Sequence, residues 1–195
     1  MSLPDTKNPE LKIKELQYQV AVYEDQTAYK TLFFLLFPSL QNFAFSIVKT
    51  RVLAEEIASD LMLEVWVRRQ KLMEIENLRL YLFVAAKHAA VNKLKQENKN
   101  ARFSLDSLSV EFISDYATPE EAADLHDVQT SIAQAVKELP PSCQLIYKLA
   151  KEDRLKYKEI AELLDLSVKT IDNQLAIALK KIAKALQLFP FKKNF

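Results

Sequence analysis

The chain has 195 residues, 49% hydrophobic and 27% charged, with a formal net charge of +1; this allows one modest core or two small ones and excludes wholesale disorder. It contains no glycine, which counts against hairpin-rich and Rossmann-like folds, because tight turns and phosphate-cradling loops need positive φ and close backbone approach. A lone cysteine, Cys143, cannot form an internal disulfide, and with only two histidines beside it no metal cluster or metal cofactor is expected.

Met1 to Glu10 lacks the basic-then-apolar layout of a signal peptide. The apolar stretches Leu32 to Phe37 and Leu78 to Val91 are too short, or too interrupted by Arg79, Lys87 and His88, to span a bilayer. A cytoplasmic protein without direct membrane insertion is therefore expected. Charge is unevenly spread: Phe103 to Val136 holds no Lys or Arg but carries Asp106, Glu111, Asp115, Glu120, Glu121, Asp124 and Asp127, and both flanks are basic. Two basic modules joined by an acidic connector is the natural reading.

An N-terminal extension, 1–27, is expected to be partly helical. Between Ala28 and Lys95 the apolar residues recur at helical spacing, broken at Pro38 and around Glu74 to Asn77, which predicts three or four packed helices in a first domain, 28–98. Ile57, Leu61, Val65 and Leu72 form one buried stripe, with Trp66 assigned to packing. The helix from about Leu78 to Gln96 is expected to bury Leu78, Leu82, Ala85 and Ala89 before the hydrophilic run Lys95 to Asn100. Residues 99–130 read as a linker.

Thr118, Pro119, Glu120 and Glu121 have the layout of a helix start, with threonine as cap, proline at the first position and Glu121 closing a capping box. That helix should run to about Glu138, ahead of Pro140 and Pro141. Three more follow in the C-terminal domain, 131–188: about Ser142 to Asp153, Tyr157 to Leu164 and Val168 to Gln187, before a tail, 189–195. The fold class is all-α: two small helical domains joined by an acidic linker, the second a helix-turn-helix.

The spacing from Tyr157 to Ile171 carries that motif. Ala161 is small where two helices must cross, Ile160 and Leu164 face inward, Leu166 plugs the turn and Ser167 caps the second helix. Within the second helix Ile171, Leu175, Leu179 and Ile182 bury one face. Lys169, Thr170, Asp172, Asn173 and Gln174 then lie where a recognition helix meets base edges. Asn and Gln can pair bidentately with adenine, Lys169 can reach guanine or phosphate, and Lys180, Lys181 and Lys184 suit the phosphate backbone.

Leu139-Pro140-Pro141, Tyr157-Lys158-Glu159-Ile160-Ala161 and Leu166-Ser167-Val168-Lys169-Thr170-Ile171 resemble the promoter-binding C-terminal domain of bacterial extracytoplasmic-function sigma factors. Phe43 to Val48, Ala54 to Asp60, Leu63 to Trp66 and Asn77 to Leu82 are similar to that family's N-terminal domain. The resemblance implies a non-enzymatic protein that binds core RNA polymerase and promoter DNA and is restrained by an anti-sigma factor. By the same resemblance the C-terminal domain reads the -35 element. The helix matching Ala54 to Arg69 would dock on polymerase through Glu56, Asp60, Glu64 and Arg68, and the next would melt and read the -10 element through Lys87, His88, Asn92, Lys93 and Lys95.

The sequence departs from the family in placing Asp165 where such turns often have glycine, Asp172 on the DNA face, and Gln174-Leu175-Ala176-Ile177-Ala178 where basic residues are usual. Two other readings compete. A response regulator shares the Leu-Ser-x-x-Thr pattern but needs an α/β receiver, whereas 28–96 reads as helical throughout. A helical interaction adaptor would keep the fold without the DNA affinity.

Overall fold

A computed structural model describes residues 9–97 and 123–187. The chain divides into two compact units, 1–103 and 104–195, and all regular structure among the described residues is helical. The helix start at Thr118 to Glu121, most of the acidic connector and the tail from 189 lie outside the described residues.

The first unit contains α1 (Pro9–Tyr23), α2 (Gln26–Val48), α3 (Arg51–Val67), a 3-10 segment (Arg69–Glu74) and α4 (Leu78–Glu97). Helix α2 is the central element, packed by α1, α3 and α4. It starts at Asp25, whose Oδ1 accepts from the backbone N–H groups of Thr27 and Ala28 at 2.7 and 3.1 Å, pairing two donors that have no partner within the helix. It is long and apolar enough to cross a membrane by length and composition, but half of that window is buried inside the protein. Its inner row, Ala28, Leu32, Leu36, Leu40 and Phe43, makes it a core helix.

The expected break at Pro38 does not occur, since α2 continues through it to Val48. Proline forfeits one backbone hydrogen bond in a helix interior; here Pro38 sits on the exposed side, and Leu36 and Leu40 anchor the helix on either side in one core. The chain turns instead at Lys49, which is left-handed at φ 59° and closes the helix through its N–H to Phe45 O at 2.8 Å. The break near Glu74 to Asn77 is present, and Asn77 Oδ1 accepts the Leu80 N–H at 3.0 Å to start α4.

The stripe Ile57, Leu61, Val65 and Leu72 is buried as its spacing predicts. On α4 the inner face is turned by one position: Ala86 and Ala90 are buried with Leu78, Leu82 and Phe83, while Ala85 and Ala89 are half-exposed. Phe83, edge-on to Phe43 at 5.1 Å between centroids, sets that rotation, because a buried ring contributes more apolar area than an alanine. Trp66 is half-buried, 5.0 Å from the ring of Tyr29, with the Arg69 guanidinium 4.9 Å above it. Helix α1 is tied to the core by Ile13, Leu16 and Val20 and by the buried Gln17, which donates to Leu72 O and Ile75 O.

The second unit contains α5 (Ala123–Lys137), α6 (Pro141–Lys151), α7 (Tyr157–Leu164) and α8 (Val168–Gln187), with α8 packed by the other three. Ala135, Val136, Leu139, Cys143, Ala178 and Ile182 form one core cluster. Gln144, buried on α6, donates to Lys137 O and Leu139 O at 2.7 Å each, satisfying carbonyls that the end of α5 leaves without helical partners.

Candidate nucleic-acid interface

Helices α7 and α8 form the helix-turn-helix, and the turn is made without glycine. Asp165 takes the left-handed position at φ 56°, ψ 44°, and the Leu166 N–H reaches back to Ala161 O at 2.8 Å, a Schellman-type closure. Ile160, Ala161 and Leu164 are buried as expected, and Leu166 is half-buried in the turn. Ser167 Oγ accepts the Thr170 N–H at 3.0 Å, so the recognition helix starts on the cap read from the sequence.

The inner face of α8 is Ile171, Leu175, Ala178 and Ile182; Leu179, expected inside, is 43% exposed. At about 100° per residue, Ile171, Leu175, Ala178 and Ile182 span only about 60° of the helix, whereas Leu179 lies roughly 70° from the centre of that set. Opposite the core runs an exposed line of Lys169, Asn173, Lys180 and Lys184, spread over only about 60° of the helix circumference. Asp172 is exposed at its edge. Thr170 is half-exposed, its hydroxyl 2.8 Å from Ser167 Oγ. Two expected contacts face elsewhere: Lys181 donates to Glu138 O at 2.6 Å, and half-buried Gln174 accepts at Oε1 from the buried Cys143 thiol. Burial pushes the Cys143 thiol above its ordinary pKa, which keeps the S–H donor in place.

In the first unit His88, Asn92 and Lys95 are exposed together on the outward side of α4. Lys87 is half-buried at the edge of that side, and Lys93 turns toward α3, its ammonium 2.7 Å from Glu56 Oε1. On α3, Glu64 pairs with Arg68 at 2.9 Å, and Asp60 and Glu56 are exposed. Beside these two acids lie Val52, Leu63 and Val67, each more than half exposed. Sequence reading missed them; the available signal was an apolar recurrence at Val52, Leu63 and Val67 that falls outside the Ile57, Leu61 and Val65 stripe. A cavity of about 270 Å³ opens between α3, the 3-10 segment and α4, with Leu61, Val65, Leu72, Ile75 and Tyr81 in its lining. The arrangement offers cations and amides for nucleic acid on α8 and α4, and an apolar face edged by acids on α3.

Residues 129–182 match the family described as Sigma-70, region 4, a segment that includes α7, the turn and α8 as far as Ile182. This match bears out the sigma-factor resemblance read from Leu139 to Ala185. No curated protein matches the chain. Among solved structures, the chain is similar to the sigma factor RpoE from Bartonella quintana, crystallised with the anti-sigma factor NepR, at 20% identity and a TM-score of 0.48 over 82% of this chain and 97% of that one. It is also similar to CnrH in complex with the cytosolic domain of CnrY, at 18% identity and a TM-score of 0.47 over 90% of this chain and 97% of that one.

Proposed function

We propose that the chain, whose residues 129–182 match the family described as Sigma-70, region 4, works as an extracytoplasmic-function-type sigma factor that directs core RNA polymerase to promoters. The observation that carries this reading is the exposed line Lys169, Asn173, Lys180 and Lys184 on the second helix of a helix-turn-helix, all but Lys184 inside the matched segment. Lysines along a helix in the major groove neutralise phosphates, and Lys169 and Asn173 near its N-terminus meet base edges.

In this reading the C-terminal domain, 131–188, binds the -35 element. The N-terminal domain, 28–98, binds polymerase through the α3 face around Glu56, Asp60, Glu64 and Arg68, and the -10 element through α4, with His88, Asn92 and Lys95 foremost. Exposed Val52, Leu63 and Val67 support a protein partner on α3, because an apolar centre rimmed by charge is the usual make-up of such a contact. An anti-sigma factor is the proposed regulator, and the cytoplasm the proposed compartment.

Run-off transcription with bacterial core polymerase on a pool of promoters tests the reading. Protein-dependent initiation is expected, and it should be lost in a Lys169→Ala, Asn173→Ala, Lys180→Ala triple variant. Binding to core polymerase without initiation on any template would favour the adaptor reading instead. The response-regulator reading is the weaker rival, since the described residues of the first unit form helices where a receiver requires strands.

A further inference from the structure

Between Lys169 and Lys180 the sequence of α8 holds no cation. The side chains that face outward in that stretch are Asn173, Ala176 and Ile177, and Ile177 is 51% exposed. At about 100° per residue Ile177 lies roughly 40° from Asn173 and 20° from Lys184, so it shares their side of the helix. Thr170, Asn173 and Ile177 follow one another at intervals of three and four residues and lie within about 60° of each other. This is the spacing on which a helix lying along the major groove meets successive base edges. The outward face is thus polar at its start, apolar in its middle and cationic beyond.

An isoleucine side chain has no donor or acceptor, so what it can favour on a base edge is an apolar group. The major groove offers one, the 5-methyl of thymine. Set against N7 or O6 of a purine, or the N4 amine of cytosine, the same side chain would strip water from a polar atom and give it no partner in return. Resting on the sigma-factor reading of α8, we propose that Ile177 is a specificity-determining residue that selects a thymine by its 5-methyl group. Asn173, one turn earlier and exposed on the same side, keeps its amide for the polar edge of another base pair. Lys180 and Lys184, further along, are left to the phosphates, so the apolar reader stands between a polar reader and the anchoring cations.

Exchange of thymine for deoxyuridine removes that methyl and leaves every hydrogen-bonding atom of the base in place, so it isolates the contact. The preferred site is first selected from a randomised duplex pool by the full chain bound to core polymerase, and each of its thymines is then replaced in turn. At one position wild type should lose about fourfold in affinity, the worth of one buried methyl. The Ile177→Ala variant should bind thymine and deoxyuridine at that position alike, while keeping the wild-type response to deoxyuridine elsewhere. Because Ile177 is exposed and alanine is the better helix former, the variant should fold as wild type does. A preferred site that has no thymine, or whose thymines all tolerate deoxyuridine, overturns the proposal, as does a loss of the same size at every position in Ile177→Ala. If wild type selects no sequence at all while still binding polymerase, it is the sigma-factor reading that fails, and this inference falls with it.

Discussion

The ammonium of Lys93 on α4 lies 2.7 Å from Oε1 of Glu56 on α3, joining a residue expected to meet promoter DNA to one expected to meet polymerase. The two side chains are 35% and 44% exposed, so solvent screens the pair and its net contribution should stay within about 1 kcal/mol. A Glu56→Ala variant should shift the urea midpoint little. It also removes the carboxylate that holds Lys93 toward α3. Binding of the polymerase complex to a forked -10 duplex should then steepen in salt dependence, with the log-log slope growing by about one; an unchanged slope would show that Lys93 stays away from the phosphates.

Gln17 has a different standing because it is buried. Its amide donates to Leu72 O and to Ile75 O, holding the 3-10 segment against α1. Gln17→Leu preserves most of the volume but removes the side-chain donor from Ile75 O and leaves Leu72 O with the Ile75 N–H alone, at a loss of about 1–3 kcal/mol where water cannot reach the freed carbonyl. Urea unfolding should therefore show a loss several times that of Glu56→Ala. A change below about 0.5 kcal/mol would mean that these carbonyls find water instead.

Among the described residues Glu24, Lys49, Arg154 and Asp165 have positive φ between 52° and 59°, in a chain with no glycine. Lys49 closes α2 in this conformation, where a Cβ carries a penalty that glycine does not. Lys49→Gly should stabilise the protein by about 0.5–1 kcal/mol, read from the urea midpoint. Lys49→Val, with a β-branched side chain in the same region, should destabilise it by more than that.

Much of this architecture is legible in the sequence because it rests on period and capping. Tyr157 to Leu164 and Val168 to Gln187 have the bounds that their spacing implies, and Ser167 caps α8 because a hydroxyl stands three residues before an N–H in need of an acceptor. Helix faces are read less finely: burying Ala86 rather than Ala85, or Ala178 rather than Leu179, turns a helix by a fraction of its circumference, and partners such as Phe43 decide it from elsewhere in the chain. The helix through Pro38 is likewise a tertiary outcome, in which burial on both sides outweighs one missing hydrogen bond. Least legible are the polar side chains that reach across elements. Nothing local to Gln174 announces Cys143, 31 positions away, and nothing local to Gln17 announces Leu72, 55 positions away.

Ser167 links stability to recognition. Its Oγ accepts the Thr170 N–H at 3.0 Å and lies 2.8 Å from the Thr170 hydroxyl, fixing the first turn of α8 beside Lys169. Ser167→Ala should cost about 1 kcal/mol of stability and weaken promoter binding beyond that, since the turn presenting Lys169 frays. Ser167→Asp restores the cap but adds an anion near the proposed phosphate contacts. It should recover thermal stability without recovering DNA affinity, a split measurable by pairing melting curves with fluorescence anisotropy on a -35 duplex.

Asp172 gives the most direct test of what α8 faces. It is exposed at the edge of the line formed by Lys169, Asn173, Lys180 and Lys184. A carboxylate there has one favourable use against DNA, accepting from the N4 amine of cytosine; otherwise it faces phosphates and opposes binding. Asp172→Asn removes the charge while keeping the shape. If the carboxylate only opposes binding, affinity should rise several-fold at low salt on every sequence tested, and the gain should shrink as salt screens it. If it reads cytosine, affinity should fall about tenfold on the preferred site alone, in keeping with about 1–3 kcal/mol for a specific base contact. The exposed edge position of Asp172, with its neighbours on the outer face mostly lysines, leads us to expect the first result. No change on any duplex would place α8 away from the groove and remove the main support for the sigma-factor reading.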